Sequence, residues 1–370
     1  MSNNSLTDNV LAVGIDDGHD GIKVAYFDFR KKSIVCFRMP SVAQEGIGDM
    51  ASAPDYELNN MLISIHKENN IVHYLVDSDR KVIKEPMDTR FAEYPLSDLN
   101  IALIAQALRK AGVPYGKLFI TSGLPASQYF DKESGKTNKT LIEAKHNNIN
   151  RLPQVRSAAA PNMFYQVVGV DTLPEGYGVS LDLTTSDNDL MPTEFAIEAQ
   201  DNGFIVVDIG GRTVDLVKIM ANLQPRPNDS YSFNSGILYL RDELRSRVAD
   251  KIGISSLSDK MVDAIIQTGW HGKPNKMGST DLTEMRNYVL QSFAERIHRE
   301  IVGVLNNSDE AMGGVVITGG GSHALGNYLV QALRNKGFRY EVTLQDQPEF
   351  GNAKGFCKYS LFQAKKINKG

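Results

Sequence analysis

The chain has 370 residues, 42% of them hydrophobic and 23% charged, a balance that fits a soluble globular protein of about two domains. Lys and Arg number 40 against 44 Asp and Glu, for a formal net charge of −4; this argues against broad direct contact with nucleic acid, which needs clustered positive charge. No apolar stretch approaches the ~20 residues that span a bilayer, and the polar start Met1-Ser2-Asn3-Asn4-Ser5 lacks the apolar region of a signal peptide, so a cytoplasmic location with no membrane partner is expected.

In chain order, residues 10–15 read as a strand running into Asp16-Asp17-Gly18, with 22–29 as its hairpin partner and 34–39 as a third strand of the meander. Residues 40–90 are irregular, with one strand candidate at 71–76, and read as a small inserted subdomain. Ser97 caps a helix whose Leu99, Ala102, Leu103, Ala107 and Leu108 share a face, and Gly112 ends it. A buried strand at 118–121 leads into the turn Ser122-Gly123-Leu124-Pro125. The Lys/Asn-rich stretch 131–152 reads as a surface helix with loops and 164–170 as a strand. A helix start is placed near Pro174, a favoured first-turn residue, and 184–202 reads as a loop.

The pattern then restarts. Strand 204–207 meets Asp208-Ile209-Gly210-Gly211, and 213–220 returns beside it. Helices follow at about 236–250, 258–268 and 281–306, then a strand at 315–318 ending in Gly319-Gly320-Gly321, a helix at 325–333, a strand at 340–344 and a last helix at 352–364. Each half opens with strand, Asp, glycine turn, strand, as an α/β unit duplicated around a cleft would. Cys36 and Cys357 lie in apolar surroundings and read as buried free thiols; no paired Cys/His spacing marks a zinc site.

Three glycine turns carry the chemistry. In Asp16-Asp17-Gly18-His19-Asp20-Gly21 a strand delivers an Asp to a hairpin tip whose backbone N–H groups form a nest for phosphate oxygens. Such an Asp suits a Mg²⁺ ion that keeps most of its water. Asp208-Ile209-Gly210-Gly211-Arg212-Thr213-Val214-Asp215 repeats the arrangement and adds a hydroxyl and a guanidinium. Either turn alone is explained by an ordinary tight hairpin. Together they could clamp one polyphosphate, with Asp16 and Asp208 flanking a single metal ion. Gly319-Gly320-Gly321, between strand and helix, lets a flat ring approach the backbone, although a plain strand–helix link explains it as well.

The order of these pieces resembles the actin/Hsp70/sugar-kinase superfamily, and within it the plasmid-segregation ATPases of the ParM/StbA type. Residues 16–23 resemble the first phosphate loop, 122–125 the first connecting segment, 208–215 the second phosphate loop and 318–321 the adenosine loop. The resemblance implies an actin-like fold, a duplicated ribonuclease H-like α/β architecture. It further implies ATP/ADP and Mg²⁺ as cofactors, ATP hydrolysis, self-assembly into filaments and a DNA-bound adaptor protein as partner. The domains expected are 10–200 plus 348–368, with the insert at about 40–90, and 203–347, with a helical subdomain at about 225–310.

Nucleotide contacts are implied for Asp17, Gly18, His19, Gly21, Lys23, Lys145, Gly210, Gly211, Arg212, Thr213, Asn234, Gly319, Gly320 and Gly321, with Asp16 and Asp208 at the metal. His19 and Asp20 depart from the small hydroxyl or amide residues usual in the first loop. Asp20 would repel a phosphate and is expected to point away. Lys145 has a solvated surface lysine as its plain alternative, and Asn234 or Ser235 a helix N-cap. For the group that activates water, aligning Pro174 and Gly176-Tyr177 favours Asp171, with Glu175 as the close alternative; a helix cap or first-turn acid would explain either. A sugar-type kinase of the same superfamily, or a nucleotide-binding scaffold without turnover, remains an alternative function.

Overall fold

The computed structural model describes residues 9–46, 55–78, 82–83, 85–131, 134–306 and 312–368; the polar start at 1–5 and parts of the 40–90 insert lie outside them. The first half runs β1 (Leu11–Asp17), β2 (Gly21–Asp28), β3 (Ser33–Pro40), β4 (Ala43–Glu45), α1 (Asp55–Met61), β5 (Leu62–His66) and β6 (Ile71–Val76). It continues through α2 (Asp98–Lys110), β7 (Lys117–Leu124), α3 (Ala126–Tyr129), α4 (Lys139–Ile149), β8 (Val155–Ser157), β9 (Gln166–Pro174), α5 (Tyr177–Thr184) and α6 (Glu194–Asn202). The second half holds β10 (Phe204–Ile209), β11 (Val214–Ile219), β12 (Tyr231–Phe233), α7 (Ile237–Ile252), α8 (Asp259–Thr268), β13 (Trp270–His271) and β14 (Thr280–Asp281). It ends with α9 (Thr283–Asn306), β15 (Gly314–Thr318), α10 (Ser322–Asn335), β16 (Glu341–Leu344) and α11 (Gly351–Ile367).

Two five-stranded sheets share one plan. The first has the order β3-β2-β1-β7-β9 and the second β12-β11-β10-β15-β16. In each, an antiparallel hairpin edge joins a parallel continuation: β1 pairs antiparallel with β2 and parallel with β7, and β10 does the same with β11 and β15. The central strands are buried along nearly their whole length, as sheets covered on both faces require. A smaller sheet, β4-β6-β5-β8, draws three strands from the insert and takes its fourth from residues 155–157.

Local signals explain most boundaries. The Ser97 side chain accepts the Asn100 N–H and starts α2, whose buried face includes Leu99, Ala102, Leu103, Ala107 and Leu108. α9 buries Val289, Phe293, Ile297, Ile301 and Val304 at helical spacing against the second sheet. α11 returns across the chain to the first sheet, where Ala353, Cys357, Leu361 and Ala364 pack on Ala12, Ala25 and Phe119.

Four readings differ. Ser122-Gly123-Leu124 is the end of β7, not a turn, because β9 continues to pair with it through Leu173 and Pro174. Pro174 therefore closes a strand, and the helix begins at Tyr177. Residues 194–202 form α6, capped by Thr193, where a loop was expected. Cys357 is buried, whereas Cys36 is only partly so; both are free thiols. Among the described residues no helix is long and apolar enough to cross a membrane.

Candidate functional site

The plan of the sheets brings the two Asp-bearing hairpins together. Asp16 lies opposite Lys23 in the β1–β2 ladder, and Asp208 lies opposite Asp215 in the β10–β11 ladder. Both Asp residues reach the same enclosed cleft, whose wall also holds Asp17, Gly18, His19, Lys23, Glu175, Gly210, Gly211, Arg212, Thr213, Gly319 and Gly320. The hairpin tips nearly touch, since a Cβ on Gly211 would come within 2.7 Å of the Asp20 nitrogen.

Gly319 seals the third side. Its φ is +83°, and a Cβ there would overlap the Asp208 carboxylate and the Ile209 backbone, so a side chain is excluded twice over. The Gly321 N–H donates to the Ile209 carbonyl at 2.8 Å and binds this turn to the second hairpin. Gly21 and Gly321 are not part of the cleft wall; they shape the turns behind it.

Charge in the cleft is unbalanced. The Lys23 ammonium stands 3.3 Å from Asp16. Asp17 is tied into the first half, accepting from Asn100 Nδ2 at 2.6 Å and from the Lys145 ammonium. Lys145 is fully buried beneath Asp17, not solvated, and does not itself reach the cleft wall. Asp208 accepts from Asn352 Nδ2 at 2.6 Å, but burial, Asp16 and Asp215 push its pKa up to about 7.

Burial raises the Asp16 carboxyl too, against the pull of Lys23. Glu175 is held well above the usual carboxylate range, first by burial and then by Asp215, Asp16, Asp208 and Asp17. Desolvation and mutual repulsion of this kind are what a divalent cation relieves. Among the described residues no three or more His, Cys, Asp or Glu side chains are grouped as metal ligands. Two carboxylates, Asp16 and Asp208, are a donor set that suits a cation keeping several of its own waters. Arg212 brings a buried Nε with no hydrogen-bond partner among the described residues, a donor available to an anion.

Not every candidate converges. Asp171 sits on β9 opposite Thr121, outside the cleft wall. Its carboxyl is raised by burial and lowered by His146 and Lys366. Glu175, one residue past the end of β9, is the carboxylate that faces the cleft. Asn234 is exposed and lines a neighbouring cavity with His19, Arg212 and Thr213; the N-cap of α7 is Gly236, not Asn234 or Ser235. His19 is not an exposed turn residue. Its Nδ1 lies 2.6 Å from the Thr89 carbonyl, its ring packs 4.9 Å from Tyr94, and burial lowers its pKa to about 4.

Asp20 is not part of this cleft wall, in line with the expectation that it points away. It faces a second cavity of ≈ 650 Å³ lined by Arg38, Arg241, Asp263, Gly320, His323 and Tyr328 among others. Sequence reasoning missed Asn352, which ties the Gly176 N–H to Asp208, and Tyr94 and Glu349 in the cleft wall. These reach the site from distant segments, and no local motif marks them.

Comparison with known proteins follows this geometry. The family model "Plasmid segregation protein ParM, N-terminal" matches residues 11–182, and "Archaeal actin homologue MreB-like, C-terminal" matches residues 206–331. No curated protein matches significantly. Among solved structures, a 15-stranded ParM filament from Clostridium botulinum is similar at 18% identity and a TM-score of 0.70, covering 96% of this chain and 99% of that one. The actin-like protein Alp7A is similar at 15% identity and a TM-score of 0.72, over 96% and 97% of the two chains. An archaeal actin homologue in complex with ADP is similar at 17% identity and a TM-score of 0.66, over 95% and 99%. The fold is thus the actin-like, duplicated α/β fold, with the first half similar to the ParM N-terminal family and the second to the archaeal MreB-like C-terminal family.

Proposed function

We propose that the chain is an ATPase that binds Mg-ATP between its two hairpins, assembles into filaments with ATP bound, and loosens them on hydrolysis to move plasmid DNA through an adaptor protein. The observation that carries this reading is the meeting of Asp16, Asp208, both glycine hairpins, Gly319-Gly320 and Glu175 on one cleft. The similarity to a ParM filament and to an ADP-bound actin homologue supports it.

The N–H groups of the two turns would cradle the phosphates, with Lys23, Arg212 and the Thr213 hydroxyl beside them. Asp16 and Asp208 would hold Mg²⁺ through water, and the ion would neutralise phosphate charge. The ≈ 650 Å³ cavity behind Gly320 is the place for the nucleoside. Glu175, rather than Asp171, would take the proton of the attacking water. Of the two acids it is the one on the cleft wall, and a general base must lie within reach of the proton it takes. Filament dynamics then require only that the ATP and ADP states bind neighbouring subunits with different affinities.

Light scattering and pelleting with and without Mg-ATP, run beside phosphate release, test the whole reading. Assembly only with Mg-ATP, followed by phosphate release and disassembly, is the expected result. Turnover without assembly would remove the filament role, and neither would remove both.

A further inference from the structure

Asp20 takes a position where the resemblance calls for a small hydroxyl or amide, and its carboxylate is committed elsewhere. Its Oδ1 accepts from Arg241 Nη1 of α7 at 2.5 Å, and its Oδ2 accepts from Arg38 Nη2 of β3 at 2.6 Å. Arg241 is braced in turn by Asp263 of α8, to which its Nε donates at 2.6 Å. One residue further along α7, Asp242 pairs with Arg90 from the segment before α2. Two successive residues of a second-half helix are therefore gripped by two residues of the first half.

The two rungs are unequal. The Asp20 and Arg241 side chains are each 11% exposed, against 34% and 43% for Arg90 and Asp242. An exposed pair contributes little, whereas parting a desolvated pair strands both charges. Position supplies a second observation. Both hairpin tips line the cleft, and Asp20, Arg241 and Asp263 edge the adjoining cavity of ≈ 650 Å³. The tip that carries Asp20 cannot move off α7 to widen the cleft without breaking the Arg241 pair.

Resting on the reading of the cleft as a nucleotide site, we infer that Asp20 and Arg241 form a cross-cleft latch that sets the rate of nucleotide exchange. The Arg90–Asp242 pair is its weaker second rung. The latch explains why an acid is tolerated in a phosphate loop: its partner is an arginine of the opposite half, not the nucleotide.

The test is stopped-flow release of a fluorescent ADP from the full chain with Mg²⁺, chased with unlabelled ADP. Asp20→Asn and Arg241→Gln are each expected to speed release by roughly ten- to a hundredfold, as for loss of a desolvated charge pair. The double variant is expected to match the singles within about threefold, because the one interaction that crosses the cleft is broken in both, while the Arg38 and Asp263 pairs lie within their own halves. Arg90→Gln should change release by about threefold or less.

Release from Asp20→Asn at the wild-type rate or slower, with Arg241→Gln still fast, would overturn the latch and make Arg241 a direct nucleotide contact. Multiplying effects in the double variant would overturn it as well. Should Asp20→Asn fail to fold by circular dichroism, Arg241→Lys replaces it. That variant keeps the charge but cannot hold Asp20 and Asp263 together, so faster release is expected and an unchanged rate counts against the latch. A wild-type chain that takes up no labelled ADP overturns the nucleotide reading itself, which separates the two failures.

Discussion

Glu175 and Asp208 belong to one cluster of buried carboxylates, to which the proposed function gives different work. Glu175 is raised by burial and by the acids around it, and among the described residues it has no lysine partner of the kind that Asp16 and Asp17 have. Glu175→Gln is expected to keep nucleotide binding and lose about 10²–10⁴ in phosphate release. Asp171→Ala, outside the cleft wall, is expected to stay within a few-fold of wild type; paired phosphate-release and binding assays on both variants decide between the two acids.

Asp208 gives a separate readout in pH. Its carboxyl binds a proton more tightly in the folded chain, with a pKa of about 7 against an ordinary 3.8. Stability carried by that proton is present at acid pH and is lost as pH rises toward 7, by at most about 4 kcal/mol. Asp208→Asn stays neutral throughout. In nucleotide-free protein its Tm should exceed that of wild type at pH 8 and converge with it near pH 4, while Mg-nucleotide binding is lost. A lower Tm than wild type at pH 8 would show that the charged Asp208 is stabilised within the cleft.

At the scale of elements, the third glycine turn is the most exacting. Gly319→Ala must place a Cβ at a positive φ and against the Asp208 carboxylate. A loss of about 2–5 kcal/mol in urea unfolding is expected, with nucleotide binding lost at the same time. The hairpins were legible because their signals are local: an apolar strand, an Asp and a glycine within eight residues repeat at 204–211 what stands at 11–18. The Ser97 cap and the apolar stripe of α9 were legible for the same reason.

Other features depend on which strand lies beside which. Ser122-Gly123-Leu124 looks like a turn until β9 pairs with it. Asp171 and Glu175 lie four residues apart, and only the end of β9 between them sends one toward α4 and the other into the cleft. Asn352 and Arg241 meet their partners across 144 and 221 residues, a separation over which no local pattern carries information.

For the whole molecule, the halves are joined at the cleft floor by a polar network. Gln345 accepts from the Thr318 hydroxyl of the second sheet at 2.5 Å and donates to Asp182 of α5 at 3.0 Å. Asp182 is held as well by Lys358 of α11 at 2.7 Å. Gln345→Leu keeps the bulk but removes a donor and an acceptor from buried partners. It should cost about 1–3 kcal/mol, and the outcome turns on how the halves unfold. If the floor makes them one cooperative unit, urea unfolding shifts to a lower midpoint with an unchanged slope. If the network alone couples them, the transition splits in two or its slope falls, and saturating Mg-ADP at about 1,000 times its Kd, worth about 4 kcal/mol to the closed form, restores a single transition. Because α11 crosses from the second half to pack on the first sheet, the first outcome is expected: the chain itself stitches the halves into one cooperative unit.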